Sequence, residues 1–196
     1  MDIGVLALQG DFREHISALK NCGVNARPVK TKDEIVEIDA LVIPGGESTT
    51  ISKLAKAFDL FDLIKDRIAK GMPTYGSCAG MILVSKTILD PASGQESFGG
   101  IDIVVRRNAF GKQVDSFEAD LYFEGIAGDP LRAIFIRAPW VESYSNEVKV
   151  LATVNFQGES HPVAVSQGNV LATSFHPEIT GDSRVHEYFL REFCKK

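Results

Sequence analysis

A thiol, an imidazole and a carboxylate are carried by two short segments of this chain, Gly76-Ser77-Cys78-Ala79-Gly80 and, far downstream, His176-Pro177-Glu178. The glycines two positions either side of Cys78 have no Cβ, so a strand can turn sharply into a helix there and leave the cysteine on a strained, exposed corner. A cysteine is largely protonated at neutral pH; as a nucleophile it needs a base or a positive environment. The helix after the corner would direct its dipole at Cys78, with the Ala79 N–H facing the oxyanion formed when sulfur attacks a carbonyl. His176 is the candidate base. Pro177 disfavours helical backbone at His176, and residues two apart in an extended chain share a side, so Glu178 is expected to orient the imidazole and stabilise its charge. Alone, Gly-x-Cys-x-Gly describes a tight turn over a buried thiol equally well. Its pairing with His-Pro-Glu, between a strand and a helix, points to a cysteine-nucleophile enzyme.

Acyl chemistry needs a second oxyanion donor, and Pro44-Gly45-Gly46-Glu47-Ser48-Thr49-Thr50 supplies a loop whose glycines let backbone N–H groups approach a ligand. The same loop reads as a strand-to-helix turn capped by Ser48 or Thr49. The remaining histidines, His15, His161 and His186, read as surface or structural groups, with His15 a solvated helix residue.

Elements that would position these groups follow from hydrophobic periodicity. Strands are expected at Ile3 to Leu8, Val24 to Val29 and Ala40 to Ile43, with a helix carrying Phe12, Ile16 and Leu19 and a short one from Lys32 to Glu37. One long helix is expected from Ile51 to Ile68, stopped by Gly71-Met72-Pro73. Thr74-Tyr75 leads into the corner, and Ala79 to Lys86 reads as the helix after it. Repeated strand-helix units imply a parallel sheet with helices on both faces. From Gly99 onward strands dominate: Ile101 to Arg106, Ser116 to Phe123, Ala133 to Ile136, Val148 to Phe156, Pro162 to Val165 and Val170 to Ser174, some of them antiparallel. Asp90 to Gly100 is a loop, and a last helix spans Asp182 to Phe193. The expected class is α/β, three layers around a mixed, mostly parallel sheet, as one domain over residues 1–196.

Composition agrees. Hydrophobic residues make up 44% and charged residues 24% of the 196 residues, and no apolar run suggests a membrane span. The net charge of −5, with scattered Lys and Arg, argues against a nucleic-acid footprint. Three cysteines, Cys22, Cys78 and Cys194, without CxxC spacing suggest neither a disulfide framework nor a zinc site. The first residues read as a strand and not a signal peptide, so a cytoplasmic protein without metal or cofactor is expected.

These residues resemble the class I, triad-type glutamine amidotransferases, and within them the glutaminase subunits that serve pyridoxal 5′-phosphate synthases. The similarity runs through Gly4 to Gly10, Glu14-His15, Pro44 to Thr50, Cys78-Ala79-Gly80, Arg107 to Gly111, Asp115 to Glu118, Phe135 to Pro139 and Ser174 to Glu178. The resemblance implies hydrolysis of L-glutamine to L-glutamate and ammonia, with Cys78 as nucleophile, His176 as base and Glu178 as its partner. It implies Gly46 and Ala79 as oxyanion donors, and Gly46, Glu47, Ser48, Arg107, Ile136 and Arg137 as contacts to L-glutamine. An arginine suits the α-carboxylate, which a guanidinium grips with two charge-assisted bonds. Lys112 stands where the family often has arginine; it keeps the charge, loses the fork and receives no substrate role. The resemblance also implies a partner: a barrel-shaped synthase subunit that takes the ammonia and combines it with pentose and triose phosphates, with Gln9 in the region facing it. Nothing in the chain itself suggests a site for a sugar phosphate or the finished cofactor.

Three other readings compete. A glutaminase of another pathway would share the triad but lack Arg107-Asn108-Ala109-Phe110-Gly111. A cysteine peptidase or deglycase-like hydrolase normally places its histidine directly after the cysteine, where Ala79 stands. A flavodoxin-like binding module would not need Cys78.

Overall fold

The computed structural model describes residues 1–110 and 116–194. Its largest sheet has seven strands. Five of them are β1 (Asp2–Leu6), β2 (Asn25–Val29), β3 (Ala40–Ile43), β4 (Thr74–Ser77) and β12 (Val170–Thr173), which lie parallel in the order β12-β4-β3-β1-β2. Beyond β12, β11 (Glu159–Gln167) and β10 (Lys149–Phe156) extend the sheet antiparallel. The expected mixed, mostly parallel sheet is therefore present.

Side-chain alternation along these strands builds the two outer layers. Ile3, Val5, Val42, Tyr75 and Leu171 face α1 (Phe12–Asn21) and α6 (Arg184–Phe193), meeting Leu19, Val185 and Phe189. Leu6, Leu41, Ile43 and Ala172 point the other way. They pack on α2 (Lys32–Glu37), α3 (Ser48–Ala57), α4 (Phe61–Ala69) and α5 (Ala79–Val84) through Ile35, Ile51, Ile64 and Leu83. Each such side chain contributes about 1.5–3 kcal/mol by leaving water, so the period-2 pattern of the strands fixes which helices lie on which face. Two smaller sheets complete the chain: β5 (Ser85–Leu89), β6 (Ile101–Arg106) and β9 (Trp140–Tyr144), and the hairpin of β7 (Ser116–Leu121) with β8 (Leu131–Ile136). Phe117 and Phe135 stack across that hairpin with centroids 4.4 Å apart, and Phe110 packs edge-on to Phe117. Among the described residues no helix is long and apolar enough to cross a membrane.

Several expected elements differ. The helix expected from Ile51 to Ile68 is two helices. Asp59 adopts φ 56°, and the N–H groups of Asp59 and Leu60 donate to the carbonyls of Lys56 and Ala55, which closes α3 with a Schellman cap before α4 begins. The usual glycine of that cap is replaced by aspartate, and the continuing apolar spacing hides the break. Gly71 ends α4 with the same pair of bonds, as expected, at φ 91°. The helix expected to reach Lys86 stops at Val84: Ser85 Oγ donates to the Ile82 carbonyl at 2.7 Å, and Ser85–Leu89 becomes a strand parallel to β6. Strand β9 was absent from the sequence expectation. The strand expected at Pro162 to Val165 is longer, running from Glu159 to Gln167, with Pro162 placed where the β10 register shifts. Finally, β1 stops at Leu6, two residues early, which frees Gln9 to Asp11 for the edge of the sheet.

Candidate active site

The loops that carry Gly46, Cys78 and His176 leave the carboxyl ends of the parallel strands β3, β4 and β12, where ligands bind in open α/β sheets, while Arg107 follows β6 and Ile136 ends β8 of the smaller sheets. Cys78 directly follows β4 and holds φ 49°, ψ −101°, a left-handed backbone that a non-glycine residue adopts only when its surroundings enforce it. Its N–H is tied to the Thr173 carbonyl at 2.8 Å. The two glycines are required by close approach: a Cβ on Gly76 would lie 2.5 Å from the Gly80 carbonyl oxygen, and one on Gly80 would collide with the Ile43 carbonyl. Ala79 opens α5, so its N–H has no acceptor within the helix.

His176 follows β12, its N–H bonded to the Ile134 carbonyl at 2.9 Å. The expected extended segment is instead a 3₁₀ turn over Pro177–Ile179, with proline at its first position. The turn still brings the Glu178 carboxylate back, and Oε1 lies 2.7 Å from His176 Nδ1. Cys78 and His176 line one cavity, with the Cys78 thiol directed at the Ile136 carbonyl 3.9 Å away. Burial works against a charged His176, but the neighbouring Cys78 and the bond to Glu178 overcome it and raise the imidazole to about 10. Burial likewise opposes the Glu178 charge, while the facing His15 and the bond to His176 lower the carboxyl to about 2. Burial pushes His15 itself down, so it faces Glu178 as a neutral ring while His176 carries the charge.

A cavity of about 620 Å³ opens over the sulfur, lined by Gly46, Glu47, Ser48, Cys78, Ala79, Arg107, Ile136, Arg137 and His176. Nine of the ten candidate residues thus share one cavity, and Glu178 lies behind it against His176. Gly46 holds φ 142°, and a Cβ there would sit 2.5 Å from Gln9 Oε1. Glu47, not Ser48 or Thr49, caps α3: its carboxylate accepts from the N–H groups of Thr49 and Thr50 at 3.1 and 2.6 Å. Burial opposes its charge, but these bonds and that of the Thr50 hydroxyl lower its carboxyl. Arg107 extends one arm to Glu47 Oε1 at 3.4 Å and another to Gln95 Oε1 at 2.8 Å. Asn108 and Arg137, at φ 47° and 44°, add two left-handed residues to the cavity wall.

Three contributors escaped the sequence. Gln95, 6% exposed, donates to Ser48 Oγ at 2.9 Å while accepting from Arg107, joining two substrate candidates from a loop read only as a connection. Gln9, placed by the sequence only in a partner-facing region, accepts from the Glu47 N–H at 2.7 Å and props the glycine loop. Asp11 reaches within 3.7 Å of His176 Nδ1. Donor atoms of Asp11, His176 and Glu178 lie within 4.8 Å of one another, but Nδ1 is committed to Glu178, so the group reads as a hydrogen-bonded charge cluster. His15 is a correction: the expected solvated helix residue is fully buried, 2.9 Å from His186 Nε2. His161 stacks on Trp140. Lys112, with Gly111 and Asp115 of the matched segments, lies outside the described residues.

Residues 5–195 match the SNO glutamine amidotransferase family. A pyridoxal 5′-phosphate synthase subunit, PdxT, of Rhodococcus opacus is 58% identical over 191 residues, covering 96% of this chain and 95% of the relative. The corresponding PdxT subunit of Streptomyces coelicolor is 59% identical over 187 residues, 95% of this chain and 91% of its own. Among solved structures, a glutamine amidotransferase superposes with a TM-score of 0.87 at 46% identity, covering 96% of this chain and 97% of that one. PurLQS from Thermotoga maritima, at 16% identity, a TM-score of 0.67 and 97% coverage of both chains, shares the fold.

Proposed function

Since the chain belongs to the SNO glutamine amidotransferase family, we propose that its cavity hydrolyses L-glutamine to L-glutamate and ammonia and that the ammonia passes to a synthase subunit making pyridoxal 5′-phosphate. The observation that carries the chemistry is His176 hydrogen-bonded to Glu178 and sharing one cavity with Cys78, which is raised on a left-handed corner.

The Cys78 sulfur attacks the side-chain amide carbon of glutamine while His176 holds the thiol proton. Negative charge develops on the amide oxygen between the N–H groups of Gly46 and Ala79. His176 then gives the proton to the amide nitrogen, the C–N bond breaks, and ammonia leaves a thioester on Cys78. His176 next takes a proton from a water that attacks the thioester, and glutamate departs as the sulfur is released. Glu178 stays ionised throughout and keeps the imidazole aligned. At the far end of the substrate, Arg107 meets the α-carboxylate and Glu47 the α-ammonium, each exchanging its present partner for an opposite charge on glutamine. Ser48, Ile136 and Arg137 line the remaining wall.

Ammonia protonates in bulk water and is then lost as a nucleophile, so direct transfer is favoured. Relatives named as subunits of pyridoxal 5′-phosphate synthase support a synthase partner; in this reading the partner is a barrel-shaped acceptor, held in a hetero-oligomer, that joins ammonia to pentose and triose phosphates. One glutaminase domain spans residues 1–196. The three cysteines form no disulfide, consistent with the cytoplasm.

The test is glutamate release from L-glutamine by the chain alone, by the chain with its synthase subunit, and by Cys78→Ala. The complex is expected to release glutamate and the variant none. A silent complex, or a fully active Cys78→Ala, sinks the reading.

A further inference from the structure

Behind the triad lie two histidines that the reaction as written does not use. His15 from α1 and His186 from α6 are both fully buried, with His15 Nδ1 2.9 Å from His186 Nε2. The other nitrogen of His15, Nε2, faces Glu178 Oε2 at 3.4 Å, off the line of a full hydrogen bond. Glu178 Oε1 is committed to His176, and Oε2 also meets Ser77 Oγ across a long contact of 3.4 Å. Tyr75 packs edge-on against both imidazoles and turns its hydroxyl to Thr173, so it offers neither ring a polar partner.

One proton lies between His15 and His186, and its position decides the electrostatics of the site. If His15 Nδ1 carried it, the His15 Nε2 lone pair would point at a carboxylate, and the remaining N–H of His186, on Nδ1, would be buried without an acceptor. If His186 Nε2 carries it, His15 presents Nε2–H to Glu178, and only the His186 Nδ1 lone pair goes unpartnered. Buried N–H groups without an acceptor are rare, and a donor facing a carboxylate is attracted where a lone pair would be repelled.

We propose that His15 is a positioning residue for the glutaminase reaction: its Nε2–H, fixed in that tautomer by the Nε2–H of His186, steadies the second oxygen of Glu178 so that Oε1 stays on His176 Nδ1 through each proton transfer. The proposal rests on the glutaminase reading of the cavity. Burial holds both imidazoles neutral, pushing His186 down to about 3 with the help of its neighbour His15. The charged and titratable groups around the pair are Glu178, His176, Tyr75, Asp11, Glu14 and Asp182.

The experiment uses the full chain with its synthase subunit and follows glutamate release. His15→Leu is expected to lower kcat about tenfold or more, the low end of the cost of removing a hydrogen-bond partner that orients a metal-binding histidine or carboxylate, with KM changed less than twofold. His15→Gln, whose amide N–H reaches nearly as far as Nε2, is expected to recover most of the loss. Equal kcat for His15→Leu and the unsubstituted complex, or a His15→Gln as impaired as His15→Leu, overturns the proposal. A second measurement needs no substitution: histidine ¹⁵N resonances of the unsubstituted chain at neutral pH are expected to report Nε2–H for both residues, and Nδ1–H on His15 overturns it. Failure of the glutaminase reading would look different, as no glutamate from the unsubstituted complex.

Discussion

Replacing Glu178 with glutamine isolates the charge of the triad from its geometry. The amide oxygen can still accept from His176 Nδ1 at the 2.7 Å now held by Oε1, so the imidazole keeps its place while the full negative charge behind it disappears. Two unit charges about 4 Å apart interact by about 4 kcal/mol at an effective dielectric of about 20. The amide dipole retains part of that, so the imidazolium that stands beside the attacking sulfur, and the one that forms again during thioester breakdown, should each lose about 2 to 4 kcal/mol. At 1.4 kcal/mol per factor of ten, kcat should fall about 30- to 700-fold. Glu178 does not line the cavity, so KM should hold within about threefold. The assay is steady-state glutamate release by the complex, with Cys78→Ala as the blank. A Glu178→Gln variant with kcat within threefold of the unsubstituted enzyme would refute the idea that this carboxylate stabilises the charged imidazole; a large rise in KM with unchanged kcat would move Glu178 into substrate binding instead.

Other perturbations address neighbouring parts of the site. Arg107→Lys keeps the charge but loses the fork now spread between Gln95 and Glu47, so KM for glutamine should rise about tenfold with kcat nearly unchanged; an unchanged KM removes Arg107 from the α-carboxylate. Gly76→Ala forces a Cβ to 2.5 Å from the Gly80 carbonyl, and urea unfolding should show a loss of about 2 kcal/mol or more, whereas a neutral substitution would mean the corner has slack. Stability should also follow the two shifted groups. Glu178 titrates near 2 instead of the ordinary 4.5, so its contribution is present above pH 4.5 and lost as pH falls through 2. His176, raised from 6.5 to about 10, contributes fully below pH 6.5 and loses that contribution as pH rises through 10. Unfolding midpoints of the unsubstituted chain minus those of Glu178→Gln should decline across the acid window; a flat difference there contradicts the lowered carboxyl.

Local chemistry was the most legible part of the sequence. Gly76 and Gly80 announce the corner, Gly76 for a steric reason within five residues and Gly80 for the close Ile43 carbonyl, and His-Pro-Glu marks base and carboxylate as neighbours even though a 3₁₀ turn, not an extended chain, joins them. Continuous apolar runs such as Ala40 to Ile43 likewise identify strands buried on both faces. Legibility ended where a local signal was replaced by an unusual residue or where a contact was distant. Asp59 performs a cap normally given to glycine, so α3 and α4 read as one helix. Ser85 ends α5 by bonding a carbonyl inside its own last turn, which leaves no glycine or proline as a mark. The His15–His186 pair joins residues 171 positions apart, and each looks alone like an ordinary histidine on an amphipathic helix. Gln95 becomes informative only when the loop brings it between Ser48 and Arg107.

The order in which the sheet is assembled has a consequence during synthesis of the chain. Cys78 leaves β4, whose neighbour β12 is the last strand of the sheet to be translated, and the base rides on the loop after β12. A nascent chain that has emerged as far as β11 already carries the nucleophile, the glycine loop and Arg107, yet lacks the imidazole, the carboxylate and the strand that anchors the Cys78 N–H through Thr173. With the proposed triad, a chain translated only as far as β11 cannot hydrolyse glutamine, and insertion of β12 completes the site.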